Sequence, residues 1–161
     1  MEKYIQLKKD NVIRIGIKDS NGKDTGECLE FDLESVDLPL NYQKCEEMHN
    51  KNLSYLKNQL LIIDKKQDHR GKKLLSDNEE AKIRAIKDFY DKEMEALDLF
   101  LGVGGTKKIL NGRRPYYSMY EDISEILKPV LPIIEQGFKK VEEKIKSKYS
   151  KRNTKEENIL K

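Results

Sequence analysis

Apolar and polar residues alternate along this chain with a period that changes, and each change marks an element. Val12, Ile13, Ile15 and Ile17 lead into Asp19-Ser20-Asn21-Gly22-Lys23. This reads as a β-strand entering a tight turn, because Asn-Gly supplies the positive φ that hairpin turns require. Leu29, Phe31 and Leu33 then alternate with Glu30, Asp32 and Glu34, the period-two signature of a sheet with one wet face. Two strands alone are marginal in water. The hairpin is therefore expected to pack on helices, pair with a third strand, or add to another subunit's sheet.

Pro39 closes the strand region, and the period becomes helical. Tyr42, Cys45, His49, Leu53, Leu56, Leu60 and Ile63 recur at steps of three and four, predicting an amphipathic helix over about Asn41 to Asp64. Lys65 to Lys73 carries five cations and Gly71 but nothing apolar, as an exposed linker between antiparallel helices would. Ser76 followed by Glu79 matches a capping box. The helix it opens has a stripe of Ile83, Ile86, Tyr90, Met94, Leu97 and Leu101, read as core, and ends at Gly102. Met119, Ile123, Ile126 and Leu127 predict a short helix stopped by Pro129. Pro132 opens another, with Val130, Ile134, Phe138, Val141, Ile145 and Tyr149 along one face.

Between the second and third helices lies an elbow, Leu99 to Tyr120, reading LFLGVGGTKKILNGRRPYYSMY. Gly102, Gly104 and Gly105 interrupt the helical pattern, and Thr106 is expected to cap a short turn from Lys107 to Leu110 that Gly112 ends. The expected architecture is α+β and mainly α: a hairpin at about 10–36, then a bundle of about four helices over 41–149. Residues 1–149 form one domain, and 150–161 form a flexible charged tail.

Composition narrows the function classes. Of 161 residues, 37% are hydrophobic and 38% charged, below and above the usual shares of roughly 45–50% and 25%, so the core is expected to be thin. The net charge is only +3, and any nucleic-acid or membrane claim must rest on local clustering. One such cluster is the run from Lys139 to Arg152, read as a solvated helix end. Cys28 and Cys45 lie seventeen positions apart without a Cys-x-x-Cys pattern, and His49 and His69 fit no zinc spacing. No metal or cofactor is expected, and no apolar run reaches the length of a membrane helix. The expected location is the cytoplasm.

The glycine elbow invites a phosphate-loop reading, with Lys107 and Lys108 beside backbone N–H groups. The pattern does not fit: such a loop needs Gly, four residues and Gly-Lys-Ser/Thr after a strand, whereas here Thr106 precedes the lysines and a helix precedes the glycines. Arg113, Arg114, Tyr116, Tyr117 and Tyr120 interleave cations with rings. That mixture grips single-stranded nucleic acid, but it is equally the mixture enriched at protein interfaces, and the interface reading is favoured. No catalytic constellation is visible. Asp88, Asp91, Glu93 and Glu95 sit among Lys87 and Lys92 as on a solvated helical face.

The order of parts, a hairpin ending in LEFDLES, a charged helix, then ALDLFLGVGGTKKILNGRRPYYSMYEDI, resembles the small tail-assembly proteins encoded between tube and tape-measure genes in phages and prophages of Gram-positive bacteria. The matching positions are Phe31, Asp32 and Leu33, then Phe100, Leu101, Gly102, Gly104, Gly105, Lys108, Ile109, Leu110 and Gly112, within a resemblance spanning about Val12 to Ile134. It implies a non-enzymatic, oligomerising chaperone that coats the helical tape-measure protein and helps recruit tail-tube subunits in the bacterial cytoplasm. The long C-terminal helix and its basic end depart from the family plan. The expected contact surface is Lys107, Lys108, Arg113, Arg114, Tyr116, Tyr117 and Tyr120, hinged on Gly102, Gly104, Gly105 and Gly112, beside a groove lined by the second helix. Rival readings are a structural component of the tail or baseplate, and a nucleic-acid-binding or host-defence-blocking phage protein.

Overall fold

The computed structural model describes residues 1–7 and 10–159, with side chains through Arg152. Strands β1 (Val12–Lys18) and β2 (Asp24–Asp32) pair antiparallel, with Ile13 opposite Phe31 and Ile15 opposite Leu29. Ile17, Leu29 and Phe31 are buried, while Arg14 and Glu30 meet in a 2.8 Å ion pair on the other face, so the alternation does separate a dry side from a wet one. The Asp19 carboxylate organises the turn by accepting the Asn21 and Lys23 backbone N–H groups at 2.9 Å each. Gly22 alone takes positive φ there, +78°. The connection is thus a five-residue loop anchored on Asp19 rather than a two-residue Asn-Gly turn.

Helix α1 (Asp37–Asp64) begins before Asn41. Pro39 does not close the strand region but lies in the first helical turn, where its missing N–H leaves no intrahelical bond unmade. Leu38, Cys45, His49, Leu56 and Ile63 are its buried positions. Residues 65–74 are exposed. From beyond them the Asn78 amide reaches back to the carbonyls of Ile63 and Lys66, at 3.2 and 2.9 Å, satisfying acceptors that α1 leaves open at its end. Helix α2 (Asp77–Leu101) opens with the Ser76–Glu79 capping box that the sequence predicts.

The buried face of α2 is the expected stripe only at its C-terminal end. Phe89, Glu93, Ala96 and Phe100 face the core together with Leu97 and Leu101, while Ile83 is 51% exposed and Ile86, Tyr90 and Met94 are half-buried. Two stripes of nearly equal apolar content run side by side, and the one carrying both phenylalanines turns inward. Its rings make the contacts that decide this: Phe100 lies 5.2 Å from Phe31 and 5.2 Å from Tyr42, centroid to centroid.

Helices α3 (Gly105–Leu110), α4 (Met119–Leu127) and α5 (Leu131–Ile159) complete the chain, with a 3-10 turn over Lys128–Val130. Met119, Ile123, Leu127 and Ile134 join the hairpin, α1 and α2 in one hydrophobic core. Helix α5 crosses the end of the hairpin at Gly137, where a Cβ would lie 2.9 Å from the Leu33 carbonyl oxygen, and Lys144 pairs with Glu34 at 3.6 Å. Beyond the crossing the apolar face of α5 is largely uncovered, with Phe138 43%, Ile145 63% and Tyr149 69% exposed. The helix continues through Ile159, where a flexible tail from Ser150 is expected; Leu160 and Lys161 lie outside the described residues.

Candidate functional site

The elbow is a tight reversal built on α2. Gly102 and Gly104 take positive φ, +94° and +73°, and Gly104 rather than Thr106 caps α3. Thr106 lies inside α3, fully buried. Its hydroxyl and backbone N–H both donate to one carboxylate oxygen of Asp98, at 2.7 and 2.9 Å. The expected cap is therefore a tie between α3 and α2. Gly105 seats α3 against α2 so closely that a Cβ would lie 2.6 Å from Leu101 Cβ. Asn111 and Gly112 end the short helix with positive φ, +46° and +84°.

The seven contact candidates divide in two. Lys108 points to β2, 3.4 Å from the Cys28 carbonyl and 3.9 Å from Glu27. Tyr116 packs on the core, with the Arg113 guanidinium 4.1 Å over its ring. Tyr120 stacks on His49, centroids 3.6 Å apart and planes 3° from parallel. These three side chains hold the elbow to the rest of the fold. Lys107, Arg113, Arg114 and Tyr117 are exposed, and the Tyr117 ring lies 6.1 Å from Phe89.

Arg114 and Pro115 form one wall of an open groove of about 590 Å³, and the other wall is the outer stripe of α2: Ile83, Ile86, Lys87, Tyr90 and Asp91. Reading that stripe as core conceals the groove, and of the seven expected contact residues only Arg114 lines it. Its floor is apolar, and Lys87, Asp91 and Arg114 place both signs of charge at its rim.

A buried polar cluster lies on the opposite side of α2. Glu93, 2% exposed, receives the Asn52 amide at 2.9 Å on one oxygen and meets His49 Nδ1 at 2.5 Å on the other. His49 Nε2 lies 3.7 Å from Glu121 on α4. Cys45 is in the same region, and burial together with the Glu93 charge pushes its thiol up to about 11. A thiol so held stays protonated and unreactive at neutral pH. Burial also raises the Tyr120 phenol. The cluster joins α1, α2 and α4, and every buried side-chain polar atom among the described residues is satisfied. Sequence reading places Glu93 on a solvated face; its three- and four-residue steps to Phe89, Ala96 and Phe100 are the signal that could have placed it inside.

Among the described residues no group of three or more His, Cys, Asp and Glu side chains could hold a metal ion, and no helix is long and apolar enough to cross a membrane. The chain is thus a mainly helical α+β protein with an open, apolar groove on its surface. No family model, curated protein or solved structure matches the chain.

Proposed function

We propose that this protein is a non-enzymatic tail-assembly chaperone of a phage or prophage, holding an amphipathic segment of the tape-measure protein before the tail tube encloses it and helping to recruit tube subunits. The observation that carries the reading is the groove between α2 and the elbow. It is lined in a row along one helix by Ile83, which is exposed, and by the half-buried Ile86 and Tyr90, and an apolar helical stripe on a partner can lie along such a row. Rim charges of both signs, Lys87, Asp91 and Arg114, can fix the partner's register while the apolar floor supplies contact area. The resemblance to small phage tail-assembly proteins names the partner; the groove supplies a place for it.

Co-expression with the tape-measure protein tests this. The two are expected to co-purify, and Ile83→Asp with Ile86→Asp is expected to abolish co-purification without loss of helical circular dichroism. A tape-measure protein that is soluble alone and does not co-purify overturns the reading. The nucleic-acid alternative rests on the exposed basic length of α5. Three of its lysines already face acids, Lys139 with Glu135, Lys144 with Glu34 and Lys146 with Glu142, which weakens any phosphate-binding surface there. An affinity for single-stranded DNA that fell steeply with added salt would favour that alternative.

A further inference from the structure

Among the described residues the hairpin is the whole sheet, and the outer edge of β1 pairs with no strand. The Leu33 N–H donates to the Asn11 carbonyl at 2.8 Å. With Ile13 opposite Phe31 and Ile15 opposite Leu29, the antiparallel alternation makes 13 and 15 the residues bonded to β2. The backbone groups of Val12, Arg14 and Gly16 therefore point outward along the open edge. Beside that edge lies an apolar cleft of about 210 Å³, whose lining includes Ile15, Ile17, Ile109, Ile123 and Ile126. Ile126 is 71% exposed.

The same chain carries an unburied apolar segment. In Met1–Leu7, Tyr4 is 84%, Ile5 93% and Leu7 86% exposed. The Tyr4 hydroxyl donates to Glu2, so these two side chains share one side of the segment and leave Ile5 and Leu7 for the other, as in a strand. We infer that residues 1–7 of a second copy add to β1 as an antiparallel third strand. One register satisfies every position. Ile5 lies beside Ile15, which lines the cleft, and Leu7 lies beside Ile13 on the same apolar face. On the wet face Tyr4 covers Gly16, where nothing lies within 4 Å of an added Cβ, and an aromatic ring over a strand glycine stabilises an edge. Glu2 falls beside Lys18, which has no ion pair among the described residues. Lys3 comes opposite Ile17, where its stem covers apolar surface and its ammonium reaches water.

In the structure residues 1–7 form no strand and leave Tyr4, Ile5 and Leu7 exposed rather than laid along their own β1. The occupant we assign to the edge is a second copy, whose residues 1–7 match it position by position, and the contact is independent of any tape-measure partner.

The test is the mass of the purified full chain, alone, by light scattering across a dilution series. The wild type is expected above the monomer mass of 18.9 kDa. Ile5→Asp with Leu7→Asp is expected to reduce it to the monomer with unchanged circular dichroism, since neither side chain is packed within the chain. Glu2→Lys is expected to weaken association, and Lys18→Glu added to it is expected to restore it. A wild type that is monomeric throughout, whether or not residues 5–7 are protected from exchange in a hairpin of their own, overturns the inference. So does an Ile5→Asp, Leu7→Asp variant that remains associated. Either result leaves the chaperone reading to its own co-purification test.

Discussion

At the residue scale, the His49–Glu93 pair carries the largest local stake. Glu93 is buried with two partners, and removing His49 leaves one carboxylate oxygen without its partner while Asn52 keeps the other. His49→Leu is expected to cost about 3–5 kcal/mol, the usual loss when a buried pair is broken from one side. His49→Leu combined with Glu93→Leu is expected to recover most of that loss, because two well-packed apolar side chains replace a pair whose desolvation nearly cancels its attraction. Urea midpoints of the two single variants and the double variant check this; a double variant no better than His49→Leu would mean the pair contributes something packing cannot replace. Here the sequence was half legible. His49 falls on the apolar stripe of α1, but Glu93 has acids and lysines as chain neighbours, and only the position of its helix face relative to α1 shows that it is dry.

At the element scale, the helices were easier to find than the direction each one faces. The capping box, the glycine that ends α2 and the period of α1 are local features, readable because each is satisfied within a few residues. The orientation of α2 is not local: its outer and inner stripes are both apolar, and the choice depends on Phe31 and Tyr42 waiting for Phe100 elsewhere in the chain. The docking of α5 is similarly non-local and rests on Gly137. Alanine inside a helix normally gains about 0.5–1 kcal/mol over glycine. At position 137 the added carbon meets the Leu33 carbonyl at 2.9 Å, a backbone group that cannot rotate aside. Gly137→Ala is thus expected to reverse the usual sign and destabilise by about 1–3 kcal/mol, with faster amide exchange in α5 and unchanged exchange in α1 and α2. A gain in stability would show that α5 does not pack on the hairpin at this point.

At the scale of the whole molecule, three acids that the fold keeps neutral lie close together where α1 meets α4. Burial lifts the Cys45 thiol from 9.0 to about 11 and the Tyr42 phenol from 10.0 to about 12, with Glu93 adding to the first and Glu46 to the second; burial raises Tyr120 as well. A raised folded-state pKa means that the native state holds its proton more tightly than the unfolded chain does. Below about pH 9 both states are protonated and these groups add no pH dependence. Above it the unfolded chain ionises first, so their contribution drains away as the pH climbs toward 12. The urea midpoint is therefore expected to fall steeply across that interval. The sites can be separated from the background of titrating lysines by substitution. Cys45→Ala with Tyr42→Phe should flatten the part of the slope that these two groups cause, while the double variant starts from a lower midpoint at neutral pH because it leaves a small cavity beside Phe100. A slope in the variant as steep as in the wild type would place the alkaline sensitivity elsewhere, and the contact between α1 and α4 would not be where this thin core is most exposed to ionisation.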